Sequence, residues 1–556
     1  MYRKSSDILT RKDGIRKYYA GVILSCFILP VFFVCFAAVT STWAVSSVNV
    51  PLDHWSYGAI EKLDGFGLIH SDIQGMRPFT RIEMARLVKE ALLQKEYASG
   101  EFPSIVEYLL SKLQREFQDE MGALKVGGND HATTFIKPLE EIEARYVYSE
   151  GQPREFVGFP VRPNRIKATE GTPLVYNNDG VIYGEHHNFT LQFSSSMRLG
   201  NILSGYIEPI LLVRENDGDV ANIDDAELDI LKGYGKLSPW NIELEAGRDN
   251  LWWGQGYHGS LILTDNATPL DLVKLSNPVP FLLPWYFKYL GPFKYTVFIS
   301  RLEEDREAPH ALFGGIRFGF KPFPILEMGL NATAIFNGDG QPSINFSDFL
   351  DFIGFQGGES NKKFNQIAGL DFRLQLPFLR NAQVYGEYGG EDSGGLEYPE
   401  EFLFGDIGYL VGIYFPRLTC DGKTDLRFEY ANNAHRVDST PGYWYGNAVY
   451  RSGYTHNGMI MGHHMGPDSM DFFARATYYL TNDLKVGLDY DYMETGVTLS
   501  ATEEKINQIG TDVTYDLTER ISLFARYGFE KVENFNLLPG EDRENHLLMT
   551  TFKFDF

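Results

Sequence analysis

The side chains best suited to chemistry lie between residues 248 and 266. This stretch holds two adjacent tryptophans, a Tyr-His step and several glycines. A sugar presents apolar C–H faces edged by hydroxyl groups, so a carbohydrate site combines aromatic rings with hydrogen-bonding groups. The candidate carbohydrate-binding residues are Arg248, Trp252, Trp253, Tyr257, His258 and Asn266. The alternative is a close-packed plug or turn, which paired tryptophans and glycines also favour.

Histidines near residue 460 suggest a metal site, but less strongly. His456, His463 and His464 fall within one short stretch, and Asp468 follows them. Their spacing fits no familiar set of metal ligands, because structural and catalytic sites use recurrent ligand intervals. We therefore predict a solvated loop in this region and no metal.

No pattern in the sequence points to an enzyme. The acidic pairs Glu303-Glu304 and Glu400-Glu401 suit exposed loops, and nothing places two carboxylates at a catalytic separation. The sequence lacks a Gly-x-Ser-x-Gly nucleophile motif. Cys420 follows a strand-like run, where an inert thiol is expected. We predict a non-enzymatic protein with no catalytic residues and no cofactor.

Composition narrows the class of protein. The chain has 556 residues, a net charge of −24 and 14% aromatic residues, yet its mean hydropathy is only −0.23. Many aromatics with low mean hydropathy arise when apolar and polar positions alternate, as they do in β-strands. The acidity argues against a nucleic-acid partner, which needs a basic surface. These features favour an all-β protein of the cell envelope.

The N-terminus indicates export. Six basic residues precede an uncharged apolar run from about residue 20 to residue 39, and small residues follow as far as Ala44. This pattern predicts a signal peptide over 1–44 that is cleaved after Ala44. The alternative is an uncleaved inner-membrane anchor, since about 20 apolar residues can span a bilayer. Cleavage would leave Cys420 as the one cysteine, so we expect no internal disulfide.

Residues 50–125 have helical periodicity, with a capping box at Thr80 and Glu83. The stretch 45–98 resembles an S-layer-homology module, and this resemblance implies a periplasmic tether to peptidoglycan or another cell-wall polymer. The residues at its signature positions include the proposed tether set Asp53, Trp55, Thr80, Arg81 and Glu83. A helical cap without a ligand is the alternative. An amphipathic helix over 104–123, within a linker region 99–132, would pack on this module or self-associate.

From about residue 135 the period changes from 3.6 to 2. Segments such as 484–492 and 521–530 alternate apolar and polar residues, aromatics crowd the strand ends, and the chain ends on Phe556. Interfacial aromatics and charged inner faces favour a membrane barrel over a soluble sandwich. We predict an all-β fold over 133–556, a transmembrane antiparallel β-barrel of about 18 strands, with a small N-terminal α-helical periplasmic module. The expected partners are outer-membrane lipid and the barrel assembly machinery.

One segment resembles a known family. The run from Gly247-Arg248 through Trp252-Trp253-Gly254 to Tyr257-His258-Gly259-Ser260, followed by Asn266-Ala267, is similar to the characteristic stretch of Wzi-type capsule assembly proteins, and residues 454–469 match more weakly. The resemblance implies an outer-membrane barrel that holds capsular or extracellular polysaccharide at the cell surface. The alternative is a porin-like channel for small solutes or sugars. Gly- and Asn-rich segments at 153–188, 249–292 and 337–363 would favour attachment if they fold inward and block the lumen.

Overall fold

The fold is seen in a computed structural model. It describes residues 45–98, 100–124, 134–151, 153–156, 168–215, 225–344, 363–391, 406–434, 436–437, 440–441 and 444–556. The predicted signal peptide lies outside these residues. No helix in the described ranges is long and apolar enough to cross a membrane.

The described strands close into an antiparallel barrel of 18 strands, which confirms the predicted fold. In chain order, β1 to β18 are Phe135–Ser149, His186–Leu199, Leu203–Arg214, Ala226–Leu237, Glu243–Asp249, Leu270–Ser276, Pro292–Arg301, Leu312–Phe323, Leu326–Phe336, Phe364–Leu376, Ala382–Glu391, Ile407–Phe415, Thr424–Asn432, Ser469–Tyr479, Leu484–Thr495, Glu504–Asp516, Ile521–Glu533 and Arg543–Asp555. Closure occurs where β1 pairs with both β18 and β2. The barrel therefore has no free edge, and neighbouring strands satisfy each other's backbone groups.

Alternation along the strands separates the two faces of the wall. On β15, Leu488 is 56% exposed on the outer face, whereas Asp489 and Asp491 are buried on the inner face. In a membrane barrel the exposed apolar face meets lipid and the polar face lines the lumen. Trp285 and Tyr286 stand exposed beside β7 in a 3-10 turn, as interfacial aromatics do. Short turns join strands at this end, which in such barrels faces the periplasm.

The N-terminal region forms four helices among the described residues. Helices α1 to α4 are Ser56–Gly65, Arg81–Tyr97, Ser104–Glu116 and Gln118–Ala123. Thr80 caps α2, because its hydroxyl accepts a hydrogen bond from the amide of Glu83 at 3.2 Å. The helix predicted over 104–123 is broken at Phe117, but its apolar face packs on the preceding helices as expected.

The helices enter the short-turn end of the barrel. Glu61 of α1 lies between Arg373 and Arg427 of the wall, at 2.7 Å from each guanidinium. Glu83 of α2 accepts a hydrogen bond from Lys294 at 2.6 Å. The helices, which the sequence predicted as a small periplasmic module, are bonded into the barrel mouth. The reason is electrostatic: the inner wall carries buried cations, and the helices supply their counter-charges.

We expect Glu61→Gln to destabilise the closed end. Removing one partner of a buried ion pair leaves uncompensated charge, at a cost of about 3–5 kcal/mol. Burial opposes ionisation of Glu61, but Arg427 and Arg373 more than offset it and hold its pKa at about 2. This pKa lies below the ordinary value of 4.5. The contribution of Glu61 to the free energy of unfolding is therefore complete above pH 4.5 and is lost as the pH falls toward 2.

The measurement is urea unfolding of the purified barrel in detergent at several pH values. Glu101→Gln is the control, because Glu101 is an exposed acid just before α3. Equal stability losses for the two variants at neutral pH would contradict the proposed role of Glu61.

Candidate functional site: the filled lumen

The Trp segment, which we define as residues 250–269, joins β5 to β6 and folds into the lumen. Its two tryptophans pair as a short strand with Met76–Arg77 of the helical region. Trp253 is fully buried and meets Phe298 of β7 edge to face, with ring centroids 5.2 Å apart. Burial on this scale stabilises the fold through the aromatic area removed from water. The Trp segment is thus part of the barrel's core.

Two carboxylates of the inner wall hold the backbone of the Trp segment. Glu387 of β11 accepts a hydrogen bond from the amide of Gly256 at 2.8 Å. Glu429 of β13 accepts from the next two amides, Tyr257 at 2.6 Å and His258 at 2.8 Å. A loop buried inside a barrel must pair its N–H groups, and an ionised acceptor makes the stronger bond. These glutamates were not among the residues predicted to be functional.

Glycine is required where the Trp segment turns. Gly254 has a φ of +145°, and a Cβ there would lie 2.1 Å from the hydroxyl oxygen of Ser260. A Cβ at Gly259 would lie 2.6 Å from the ring of His463. Only a residue without a side chain fits these positions. The glycines therefore belong to a close-packed turn, the alternative that the sequence left open.

A second insertion completes the filling. We call residues 444–468 the Tyr loop. Tyr445 donates to the carbonyl of Leu261 at 2.7 Å and accepts from the amide of His463 at 2.8 Å. Tyr454 donates to the carbonyl of Ile262 at 2.9 Å, and its ring stacks on Tyr445. The two insertions therefore form one plug, in which tyrosine hydroxyls pair buried carbonyls.

Of the segments predicted to fold inward, 249–292 does so only over the Trp segment, since Leu270–Ser276 forms β6 and Trp285–Leu290 is an exposed turn. Beyond the Trp segment, part of 153–188 also turns inward: Asn177 donates to the carbonyl of His258 at 2.7 Å, and the amide of Asp179 donates to the carbonyl of Asp265 at 2.9 Å. Most of 337–363 lies outside the described residues.

The six candidate carbohydrate residues do not form one open surface. Trp252, Trp253 and Asn266 are buried in the plug, where Asn266 donates to the carbonyl of Ile460 at 3.1 Å. His258 is partly buried within the lumen, and Tyr257 keeps 43% of its surface exposed. Tyr257 alone of the six has a partly exposed aromatic ring inside the barrel, although the Arg427 guanidinium lies 4.3 Å from that ring.

Arg248 lies on the other side of the wall. It lies on the same outward face of β5 as Leu244 and makes ion pairs with Asp271 at 2.8 Å and Asp229 at 3.3 Å. Its separation from the Trp segment follows from the two-residue strand period, which turns alternate side chains to opposite faces. The structure does not bring Arg248 together with the two tryptophans.

Two cavities lie at the short-turn end, between the helices and the wall. The larger has a volume of about 330 Å³ and is lined by Asp53, Trp55, Lys112 and residues of β15 to β18. The smaller, of about 140 Å³, has Trp55 and Lys112 on one side and Tyr257 on the other. Ligand pockets commonly span about 300–1,000 Å³ and combine aromatic walls with a few polar groups. We call these two the short-turn cavities.

The proposed tether residues have different environments. Asp53 lies 3.4 Å from Lys553, and Trp55 carries the Lys112 ammonium 4.3 Å above its ring. The other three are engaged within the fold: Thr80 and Glu83 as described above, and Arg81 through an ion pair with Glu116 at 2.8 Å. Asp53 and Trp55 are therefore the members of this set that face open space.

The histidines near residue 460 are buried, so the prediction of a solvated loop there is wrong. His456 is bonded to Glu303 at 2.9 Å, and burial lowers the pKa of His463 to about 3. His464 meets His258 and two aspartates of the wall instead of Asp468. Sequence spacing could not reveal this group, because its members come from four separate segments.

A closed barrel with an apolar outer band, a polar inner wall and a bonded plug defines an outer-membrane β-barrel with a filled lumen. The chain belongs to the Wzi capsule assembly family, since the family model described as "Capsule assembly protein Wzi" matches residues 160–547.

Proteins similar to this chain include one relative from a cps region and one solved structure. An uncharacterized 55.8 kDa protein in the cps region of Klebsiella pneumoniae is 37% identical over 186 residues, which are 32% of this chain and 36% of that protein. The chain thus spans about a third of that relative's length. Escherichia coli Wzi, described as a carbohydrate-binding outer-membrane β-barrel involved in group 1 capsule assembly, has 20% identity and a TM-score of 0.66, covering 92% of this chain and 100% of its own. This similarity shows the shared fold.

We expect Trp253→Ala to destabilise the plug. Truncation of a fully buried tryptophan leaves a cavity and costs about 3–5 kcal/mol. Trp285→Ala is the matched control, because Trp285 is 74% exposed and its removal opens no internal cavity. Thermal unfolding and heat-modifiable gel mobility of the purified barrels would measure the effect. A Trp253 variant as stable as the control would show that the plug does not depend on this ring.

Proposed function

We propose that the protein binds exported capsular or extracellular polysaccharide and retains it at the cell surface without catalysis. Membership of the capsule assembly family supports this role, as does the carbohydrate binding described for E. coli Wzi. The observation that carries the proposal is the filled lumen: the Trp segment and the Tyr loop are bonded to the wall and to each other. A plug whose backbone groups are paired is stable inside the lumen and blocks the passage of solutes. This arrangement suits attachment better than transport.

The porin-like alternative makes an opposing electrical prediction. Large water-filled barrels conduct ions, whereas a bonded plug blocks them. We expect purified wild-type protein in planar bilayers to show no steady large current. A stable large conductance from the intact chain would favour the channel function and contradict attachment as the sole role.

Retention itself can be tested in a strain that lacks the gene. We expect such cells to synthesise polysaccharide but release it into the medium, and wild-type protein to restore the cell-bound fraction. Tyr257→Ala tests the candidate ring that faces the smaller short-turn cavity: loss of a stacking platform costs about 1–3 kcal/mol, or about 5- to 150-fold in affinity. Arg248→Ala is the control, because Arg248 points away from the lumen.

Barrel abundance and heat-modifiable mobility must be normal in both variants. Under that condition, release of polysaccharide with Tyr257→Ala but not with Arg248→Ala supports a lumen-facing contact. Normal retention by the Tyr257 variant excludes this ring as a binding contact. Normal retention without the protein would contradict the proposed function as a whole.

A second role, attachment to a cell-wall polymer, is favoured by one observation. Asp53 and Trp55, both from the proposed tether set, line the larger of the short-turn cavities beside Lys112. An aromatic face with adjacent charges suits a glycan. We propose that the periplasmic end binds the cell wall there. Co-sedimentation of the full barrel with purified sacculi should weaken about 5- to 150-fold for Trp55→Ala.

Tyr97→Ala controls for the loss of an aromatic ring from the same helices, since Tyr97 is 82% exposed and remote from the core. If the folded Trp55 and Tyr97 variants sediment equally with sacculi, Trp55 does not bind the cell wall. The helices would then have only a structural role.

A further inference from the structure

A group of four side chains inside the lumen has the composition of a metal site. His258 comes from the Trp segment, His464 from the Tyr loop, Asp471 from β14 and Asp491 from β15. One possible ligand atom from each lies within 4.8 Å of all the others. His258 lies 3.0 Å from Asp491, and His464 lies 3.3 Å from Asp471. Ligands at about 2.1 Å from one tetrahedral ion lie about 3.4 Å apart, so this spacing suits a shared cation.

The polar atoms of this group are buried and incompletely paired. His464 is 8% exposed, and the two aspartates are 2% exposed. Both ring nitrogens of His464 and one oxygen of each aspartate have no hydrogen-bond partner in the described structure. Buried polar groups normally find partners, and leaving one unpaired costs about 1–3 kcal/mol.

The charges also call for a cation. Within the described part of the chain, the ion-pair partners of Asp471 and Asp491 are histidines, and no lysine or arginine lies within ion-pair distance of either carboxylate. Two neighbouring carboxylates in a dry interior repel each other, and buried charges are normally paired or bound to metal. Other inner-wall carboxylates are satisfied either by a cation, as Asp371 is by Arg317 at 2.7 Å, or by backbone amides, as Glu387 is by Gly256.

The surrounding rings fix both imidazoles in place. His258 stacks on Phe473, with centroids 3.9 Å apart, and its amide is held by Glu429. His464 stacks on Tyr176, with centroids 4.2 Å apart. A site whose ligands are positioned in advance loses less entropy when an ion binds.

We propose that His258, His464, Asp471 and Asp491 bind one divalent transition-metal ion, of which Zn²⁺ is the best match. Two imidazoles favour such an ion over Mg²⁺ or Ca²⁺, which prefer all-oxygen sites, and four protein ligands complete a tetrahedral structural site. The ion joins the Trp segment and the Tyr loop to two adjacent strands. It therefore locks the plug to the wall, a role separate from polysaccharide binding.

The test uses the full barrel, refolded or purified in detergent, stripped with a chelator and then dialysed against Zn²⁺. We expect one ion per folded chain by elemental analysis, retention of that ion in excess Mg²⁺ or Ca²⁺, and a higher melting temperature with Zn²⁺. His464→Gln and Asp491→Asn should weaken binding by more than the roughly 10–100-fold that loss of an outer-shell partner costs.

His456→Gln is the matched control, because His456 is a buried histidine bonded to a single carboxylate, Glu303. It should bind Zn²⁺ as the wild type does. Heat-modifiable mobility defines the folded fraction, and the visible spectrum of Co²⁺-loaded wild type gives an independent measure of tetrahedral coordination. The proposal is overturned if stripped wild type takes up no stoichiometric Zn²⁺, if Ca²⁺ displaces it, or if folded Asp491→Asn binds as tightly as His456→Gln.

Discussion

Carboxylates on the inner wall hold the chain that fills the barrel. Glu387 and Glu429 accept hydrogen bonds from backbone amides of the Trp segment, and Glu327 does the same for Gln74 and Gly75 ahead of α2. Segments without regular structure can lie in a dry interior only when their N–H groups are paired. Without these acceptors each buried amide would be left unpaired, at a cost of about 1–3 kcal/mol.

The plug and the N-terminal helices contact the same residues of the barrel wall. Arg373 donates to the side chain of Gln255 in the Trp segment at 2.9 Å and to Glu61 of α1 at 2.7 Å. The amide of Gly254 also donates to the carbonyl of Gly75 at 3.0 Å. Because one guanidinium serves both partners, the helices and the plug are coupled through the wall. A substitution in the helices that displaces Arg373 would therefore also disturb its hydrogen bond to the plug.

Most residues of the family's characteristic motif have a structural role. Its tryptophans, glycines and asparagine mainly build the plug, and Tyr257 reaches the cavity beside the helices. Aromatic and polar residues are used both to bind sugars and to pack interiors, so one composition serves either purpose. The filled lumen favours attachment over transport. The cavities at the short-turn end give the helices an open surface, which is where we propose that a glycan binds.

The wall of the barrel could be predicted from the sequence. Alternation along segments such as 484–492 requires one apolar and one polar face, and about 18 such strands are a local property of the chain. The capping box at Thr80 and the close-packed turn at Gly254 are also local. Only the tertiary structure decided which faces meet: that Arg248 points outward, that the helices enter the lumen, and that His258 and His464 converge on Asp471 and Asp491. These contacts join segments that are far apart in the chain and form only when the barrel closes, so no local pattern specifies them.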